Sequence, residues 1–436
     1  MRRLLLAMLL VVLVGCGVSR LPGPGETTAT PKPAKSGDTV TKSIQDVERF
    51  WTGEFPKLAD GKKFQKVQGG YHPYTRSVPP PDCGDQPGQY QPNAFYCPAG
   101  DYIAWDAQTL IPQLESDFGS LLVGVVFAHE YGHAIQVRLG RTGQPTVVLE
   151  QQADCFAGAW LGDALAGHSK VFKTVSAKQL DNTVAGLLML RDQPGTPAMD
   201  EGAHGNAFDR IRALQDGVQD GAGKCVQYSA DNLPVTEVPF TDAADAERGG
   251  DLPYDQAVQL LSQDAQGYWE RTFPQLTGRS WQDLRVDPFD GDKPSCSKPD
   301  STAQGAAFYC PDGGFVAFDN RQLGPALYQR IGDNAVGELL GDLFARAAQD
   351  RRGRSTSGKA GQLAVDCLAG SWTYDILNRT PAERRRGGVT LSPGDLDEAV
   401  AALLAFGRAE DGSGPTAFDR IAAYRGGVLQ GLKTCS

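Results

Sequence analysis

The sequence predicts a mainly helical α+β domain with a small β hairpin, present twice in tandem. Apolar residues recur at helical spacing along most of the chain, and one aromatic-rich segment breaks that period. Blocks of sequence then repeat at a nearly constant offset, the mark of a duplicated unit. The 436 residues are enough for two domains of ordinary size.

In the first copy, Ser43 to Leu58 sets Ile44, Val47, Trp51, Phe55 and Leu58 on one helical face. Asn93 to Asp106 carries Phe95, Tyr96, Tyr102, Ile103 and Trp105 around Pro98-Ala99-Gly100, which predicts a hairpin. Ser120 to Leu139 reads as an apolar helix stopped by Gly140, a residue suited to the left-handed conformation after a helix end. Further helices are predicted over Val148 to Leu165, Leu180 to Arg191 and Ala207 to Val218.

The repeat is carried by several blocks. Phe95-Tyr96-Cys97-Pro98 returns as Phe308-Tyr309-Cys310-Pro311. Asp154-Cys155-Phe156-Ala157-Gly158-Ala159-Trp160 returns as Asp366-Cys367-Leu368-Ala369-Gly370-Ser371-Trp372, and Ala207 to Ile211 returns intact as Ala417 to Ile421. Across these blocks the offset stays between 210 and 213 residues. The organisation that follows is a signal segment over 1–15, a Gly/Pro/Thr-rich tether over 16–41 and a first copy over 42–228. A polar, acidic linker (229–251) then leads to a second copy (252–436).

Arg2 and Arg3 precede an apolar run, Leu4 to Val14, too short to serve as a stable membrane anchor. The run ends in Leu13-Val14-Gly15-Cys16, which looks like the lipobox of bacterial lipoproteins, in which Cys16 becomes the lipidated N-terminus. An ordinary secretory signal with a cysteine near its end is the alternative. The expectation is an exported lipoprotein on the cell membrane, facing the extracytoplasmic side. A net charge of −10 argues against nucleic acid as a partner, since binding it requires a basic face. The other eight cysteines fit export, because an even number suggests disulfides. The duplication makes Cys83–Cys97, Cys155–Cys225, Cys296–Cys310 and Cys367–Cys435 the simplest pairing.

The chemistry concentrates in His129-Glu130-Tyr131-Gly132-His133. Two imidazoles at i and i+4 lie on one helix face, spaced to grip a single zinc ion, and Glu130 can accept a proton from a water held there. A turn at Gly140 to Gly143 brings the next helix back antiparallel, so that Glu150 can complete a set of two histidines and a carboxylate. Asp154, one turn on, could orient a ligand histidine, be the ligand itself, or serve structure alone.

These strings resemble the gluzincin metallopeptidases, and within them the neutral zinc metallopeptidase family of bacteria. The resemblance rests on His129 to His133, on Leu149-Glu150-Gln151-Gln152-Ala153-Asp154-Cys155-Phe156-Ala157-Gly158, and on Phe95 to Pro98 and His204-Gly205. It implies a minimal zincin-like domain in which His129, His133 and Glu150 bind zinc and Glu130 is the general base. In the second copy, His129, Glu130, His133 and Glu150 fall on Asp342, Leu343, Arg346 and Gln362, whereas Asp154 persists as Asp366. The expectation is one zinc per chain and a degenerate second copy that packs on the first.

His204 aligns with Gly414, so it vanishes along with the ligands; it either donates a hydrogen bond to an oxyanion or is a surface histidine. His72 and His168 have no partner motif. Asn93 to Tyr96 is either a strand edge for a peptide substrate or a plain hairpin strand held by Cys97. The expected activity is zinc-dependent hydrolysis of peptide bonds. The alternatives are a non-catalytic envelope adaptor and a zincin acting on cell-wall amides.

Overall fold

The computed structural model describes residues 36–198, 200, 203–233, 235–384, 388–406 and 414–435. The signal segment, Cys16 and most of the expected tether fall outside them. The first helix, α1 (Ser36–Leu58), begins at Ser36 rather than Ser43, so the tether ends earlier than its composition implies. Packing explains the difference: Val40 is 2% exposed, and the Thr39 hydroxyl donates to Glu115 at 2.5 Å.

Strand β1 (Gly70–Tyr74) pairs in parallel with β3 (Tyr102–Asp106), and β2 (Ala94–Cys97) lies antiparallel on the other side of β3. The predicted hairpin is therefore part of a three-stranded mixed sheet. Pro73 hides β1 from a propensity reading, since proline suits only an edge strand. Helix α2 (Leu110–Phe118) leads into α3 (Ser120–Leu139) and α4 (Thr146–Leu165). Then come α5 (Ala177–Met189), α6 (Ala207–Asp220) and the short α7 (Ala222–Cys225).

Helix α3 is apolar almost all round and is buried to match. Gly140 caps it at φ 68°, as predicted. A Cβ on Gly132 would lie 2.8 Å from Cα of Ala153, so glycine is what lets α3 and α4 meet backbone to backbone. On the far side of α3 the Tyr131 hydroxyl donates to Glu48 at 3.0 Å, tying it to α1.

After α8 (Ala243–Glu247) the second half runs α9 (Tyr254–Thr277), β4 (Arg285–Phe289), β5 (Asp300–Thr302), β6 (Ala307–Cys310) and β7 (Phe315–Asp319). Its sheet order is β4-β7-β6-β5, with β4 parallel to β7 and the other pairs antiparallel. The remaining helices are α10 (Leu323–Arg330), α11 (Asp333–Arg351), α12 (Gly358–Leu377), α13 (Pro381–Arg384), α14 (Asp395–Ala405) and α15 (Ala417–Gln430). Disulfides join Cys83 to Cys97, Cys155 to Cys225, Cys296 to Cys310 and Cys367 to Cys435, with Cα–Cα distances of 5.5 to 5.8 Å.

The stretch expected to be a linker is packed, not loose. Leu233 is buried, Thr236 donates its N–H to Asp209 at 2.7 Å, and the Ser392 hydroxyl donates to buried Asp245 at 2.8 Å. One hydrophobic core runs through both halves. Across the joint the Gln215 amide donates to the Phe418 carbonyl at 2.9 Å, and Arg425 donates to the Arg212 carbonyl at 2.8 Å and pairs with Asp216 at 3.2 Å. Asp397 accepts the Phe208 N–H at 2.8 Å, and Asp181 accepts that of Ala417 at 2.9 Å. Among the described residues no helix is long and apolar enough to cross a membrane.

Candidate metal centre

Because α3 and α4 run together at Gly132, one turn of each faces the other. His129 and His133 project from α3 toward Glu150 on the first turns of α4. The Nε2 of His129 is 3.2 Å from Glu150 Oε2, and that of His133 is 3.5 Å from Oε1. The two Nε2 atoms are 3.2 Å apart. Three ligand atoms, one from each residue, lie within 4.8 Å of one another.

The other ring nitrogens are already taken. Nδ1 of His129 is 2.7 Å from Asp154 Oδ1, and Nδ1 of His133 is 3.0 Å from Gln136 Oε1. Both acceptors draw the ring proton to Nδ1, which leaves the Nε2 lone pairs directed at Glu150 and at each other. Glu150 Oε2 is buried and has no hydrogen-bond partner. Converging lone pairs beside a carboxylate need a positive charge between them. Burial opposes protonation of His129, yet Asp154 and Glu150 push its pKa up to about 10. Two imidazole nitrogens and one carboxylate, open on one side, are a donor set that suits zinc. The residues therefore fit the ion.

Asp154 is 2% exposed and accepts two hydrogen bonds from Arg210, at 2.9 and 3.0 Å. Burial alone would raise its pKa, but Arg210 and His129 bring it down to about 2, so it stays ionised. Arg210 also donates to the Leu190 carbonyl at 2.6 Å, and Gln136 donates to the Leu149 carbonyl at 2.5 Å. These links fix both rings to the ends of α4 and α5.

Glu130 is 6% exposed, and burial pushes its carboxyl up while His129 and His133 pull it down. It directly follows His129 on α3, and the charges of His129, His133 and Glu150 all bear on its carboxyl. His204 is half-exposed at the rim, its Nε2 3.9 Å from Glu150 Oε2. Asp192 holds that loop: Oδ2 accepts the backbone N–H groups of His204 and Gly205, each at 2.7 Å, and Oδ1 lies 3.6 Å from His204 Nδ1. His72 bonds the Gly69 carbonyl and His168 faces Asp163, both apart from this group.

Sequence reasoning missed Gln136, Asp192 and Arg210. Arg210 left a signal, since it recurs as Arg420 alongside Asp366. In the second half Arg420 donates to Asp366 at 2.8 Å. There Arg346 stands at the position of His133, donating to Asp342 at 2.6 Å, Gln362 at 2.6 Å and Asp300 at 2.8 Å. In the alignment of the two halves a guanidinium thus stands where the first half has His133.

The comparisons with known proteins point the same way. Residues 23–228 match the model of a family described as "Putative neutral zinc metallopeptidase". The metal centre lies wholly within that segment. The chain is similar to the uncharacterized protein Rv2575 of Mycobacterium tuberculosis, 28% identical over 176 residues, which is 35% of this chain and 59% of the relative. It is also similar to the uncharacterized protein YpfJ of Escherichia coli, 28% identical over 204 residues, 41% of this chain and 66% of that protein. The chain thus spans about three fifths of the length of the mycobacterial relative. No solved structure gives a significant match.

Proposed function

We propose that the protein is a zinc-dependent metallopeptidase, acting on peptide bonds at the outer face of the bacterial cell membrane and held there by a lipid on Cys16. The observation that carries the reading is the convergence of His129, His133 and the buried Glu150 Oε2, with buried Glu130 next to His129 in the same helix. Zinc, when bound by those three residues, supplies Lewis acidity toward a water and the scissile carbonyl. Glu130 takes a proton from the attacking water and passes it to the leaving amine as the C–N bond breaks. His204, oriented by Asp192, donates to the oxygen on which negative charge develops. Asp154 keeps His129 in the tautomer that leaves Nε2 free.

The substrate backbone is read as lying along β2, which among the described residues pairs with a strand on one side only. In the second half β5 sits on β6 at the corresponding edge, which supports treating this edge as one that accepts a strand. The second half is read as a degenerate copy of the first. Matching parallel strand pairs, and disulfide spans of 14 and 14 and of 70 and 68 residues, support that origin. Arg346 supports the absence of a zinc site in that copy.

The test is cleavage of a peptide library by the zinc-loaded full chain. The expected result is cleavage that stops on zinc removal and in Glu130→Gln. A zinc-loaded chain that leaves every peptide intact but cuts peptidoglycan amides would transfer the site to cell-wall chemistry; one that cuts neither would make it a binding module.

A further inference from the structure

A second acidic group lies where the connecting segment meets the second half. Asp251 closes the connector, Asp333 opens α11, and Glu398 stands in the first turn of α14. Each offers a carboxylate oxygen, and the three oxygens lie within 4.8 Å of one another. One oxygen of each is held by a backbone amide. Asp251 Oδ1 accepts from Asp333 N at 3.1 Å, Asp333 Oδ2 from Leu252 N at 2.7 Å, and Glu398 Oε2 from Asn334 N at 2.9 Å. These amides fix the carboxylates in place without cancelling their charge.

The remaining oxygen of Asp333, Oδ1, is buried and has no hydrogen-bond partner, in a residue only 5% exposed. A buried carboxylate oxygen left unbonded is costly unless something absent from the polypeptide binds it. The nearby arginines pair with other carboxylates, Arg191 with Asp397 at 3.2 Å and Arg248 with Asp245 at 3.8 Å, and Arg248 donates to the Asp251 backbone carbonyl at 3.0 Å rather than to its carboxylate. Gly332 closes one wall at φ 148°, where a Cβ would fall 2.1 Å from the Glu398 carboxyl carbon.

We propose that Asp251, Asp333 and Glu398 bind a hard divalent cation of the calcium type, which fastens the connector to the second half. The donors are all oxygens, which suits calcium and not zinc. Asp251 and Glu398 are partly exposed, leaving room for the waters that complete a calcium shell. The competing account is that the carboxylates share protons. Burial and the neighbouring Asp251 do push the Asp333 pKa up to about 6, and the test separates the two.

The full chain, with zinc present throughout, is titrated with calcium chloride by calorimetry and by thermal unfolding. The expected result is one calcium bound with a dissociation constant of about 10⁻⁴ to 10⁻³ M, the range of extracellular modules, and a Tm that climbs with calcium concentration. Asp333→Asn and Glu398→Gln should each weaken calcium binding at least about tenfold and lose the Tm rise. Without calcium their Tm should equal or exceed that of the unaltered protein, because a like-charge contact is gone. An unaltered chain that binds no calcium overturns the proposal, and this readout needs no variant to fold. Full calcium response in both variants overturns it as well.

Discussion

Asp154 and Glu150 sit one helical turn apart and both touch His129, yet the structure assigns them opposite burdens. Asp154 is enclosed between His129 and Arg210, so Asp154→Asn leaves a buried guanidinium without its counter-charge. Breaking one side of a buried ion pair costs about 3–5 kcal/mol. The carboxyl points the same way: Arg210 and His129 bring its pKa from 3.8 down to about 2 against the cost of burial, so the ionised form is favoured by about 2–3 kcal/mol. That contribution is present above the unfolded pKa near 4 and is lost as pH falls toward 2. The amide can still accept from His129, so zinc affinity should fall only about 10- to 100-fold. Glu150→Gln reverses the pattern. Without zinc, Glu150 faces His129 and His133, which hold its carboxyl well below the usual carboxylate range, so the zinc-free variant should lose stability, though less than Asp154→Asn, since Glu150 is the more exposed of the two carboxylates. With a ligand removed, its zinc affinity should fall by more than that of Asp154→Asn. Urea unfolding of the zinc-free proteins and zinc competition against a chromogenic chelator measure the two effects. Unchanged stability with abolished zinc binding in Asp154→Asn would make Asp154 the ligand and refute this reasoning.

Elemental analysis of the purified full chain should find one zinc, because the proposed ligands align with Asp342, Arg346 and Gln362 in the second half. Glu130→Gln should retain that zinc and lose about 10²- to 10⁴-fold in kcat, the usual worth of a general base, as read by peptide hydrolysis with parallel metal analysis. His204→Ala should lower kcat while leaving KM nearly unchanged, since the imidazole is assigned to the transition state. Arg425→Ala should loosen the joint between the halves, lowering Tm through loss of its bonds to the Arg212 carbonyl and Asp216.

The helices and the heart of the centre were legible because their signals are local. An i, i+4 histidine pair, a helix-stopping glycine and a short turn into the next helix suffice to bring Glu150 to His129. Asp192 and Arg210 reach the site from far along the chain, and no periodicity announces such contacts. Arg210 and Asp154 did persist together as Arg420 and Asp366, and two charged residues retained at buried positions are a legible hint of an ion pair. Strand β1 was hidden by Pro73, and the first turns of α1 by their polar composition, since both are stabilised by packing and not by propensity. The acidic group of Asp251, Asp333 and Glu398 draws on three distant segments, and only the folded chain assembles it. The connector looked like a tether because it is polar, yet its polar side chains are the ones that bind it down.

The two halves answer one electrostatic problem in two ways. Each buries an aspartate between the same pair of helices, Asp154 at 2% and Asp366 at 0% exposure, and each pairs it with an arginine from the helix that follows the turn. Beyond that pair, each half gathers more acceptor groups than its aspartate–arginine link can neutralise. The second half solves this with a side chain of its own, Arg346, which donates to Asp342, Asp300 and Gln362 from a position 3% exposed. Replacing Arg346 with methionine would leave buried Asp342 to the weaker contacts of the Gln362 amide at 3.3 Å and Arg420 at 3.7 Å, at a cost of about 3–5 kcal/mol. In the first half the aligned residue is His133, which as a proposed ligand would supply a lone pair where Arg346 supplies charge. Positive charge must there come from an ion or a proton, and an exchangeable charge can do chemistry that a fixed guanidinium cannot. On the proposed reading, Arg346 gives the second half a fixed charge of its own at the position where the first half requires an exchangeable one.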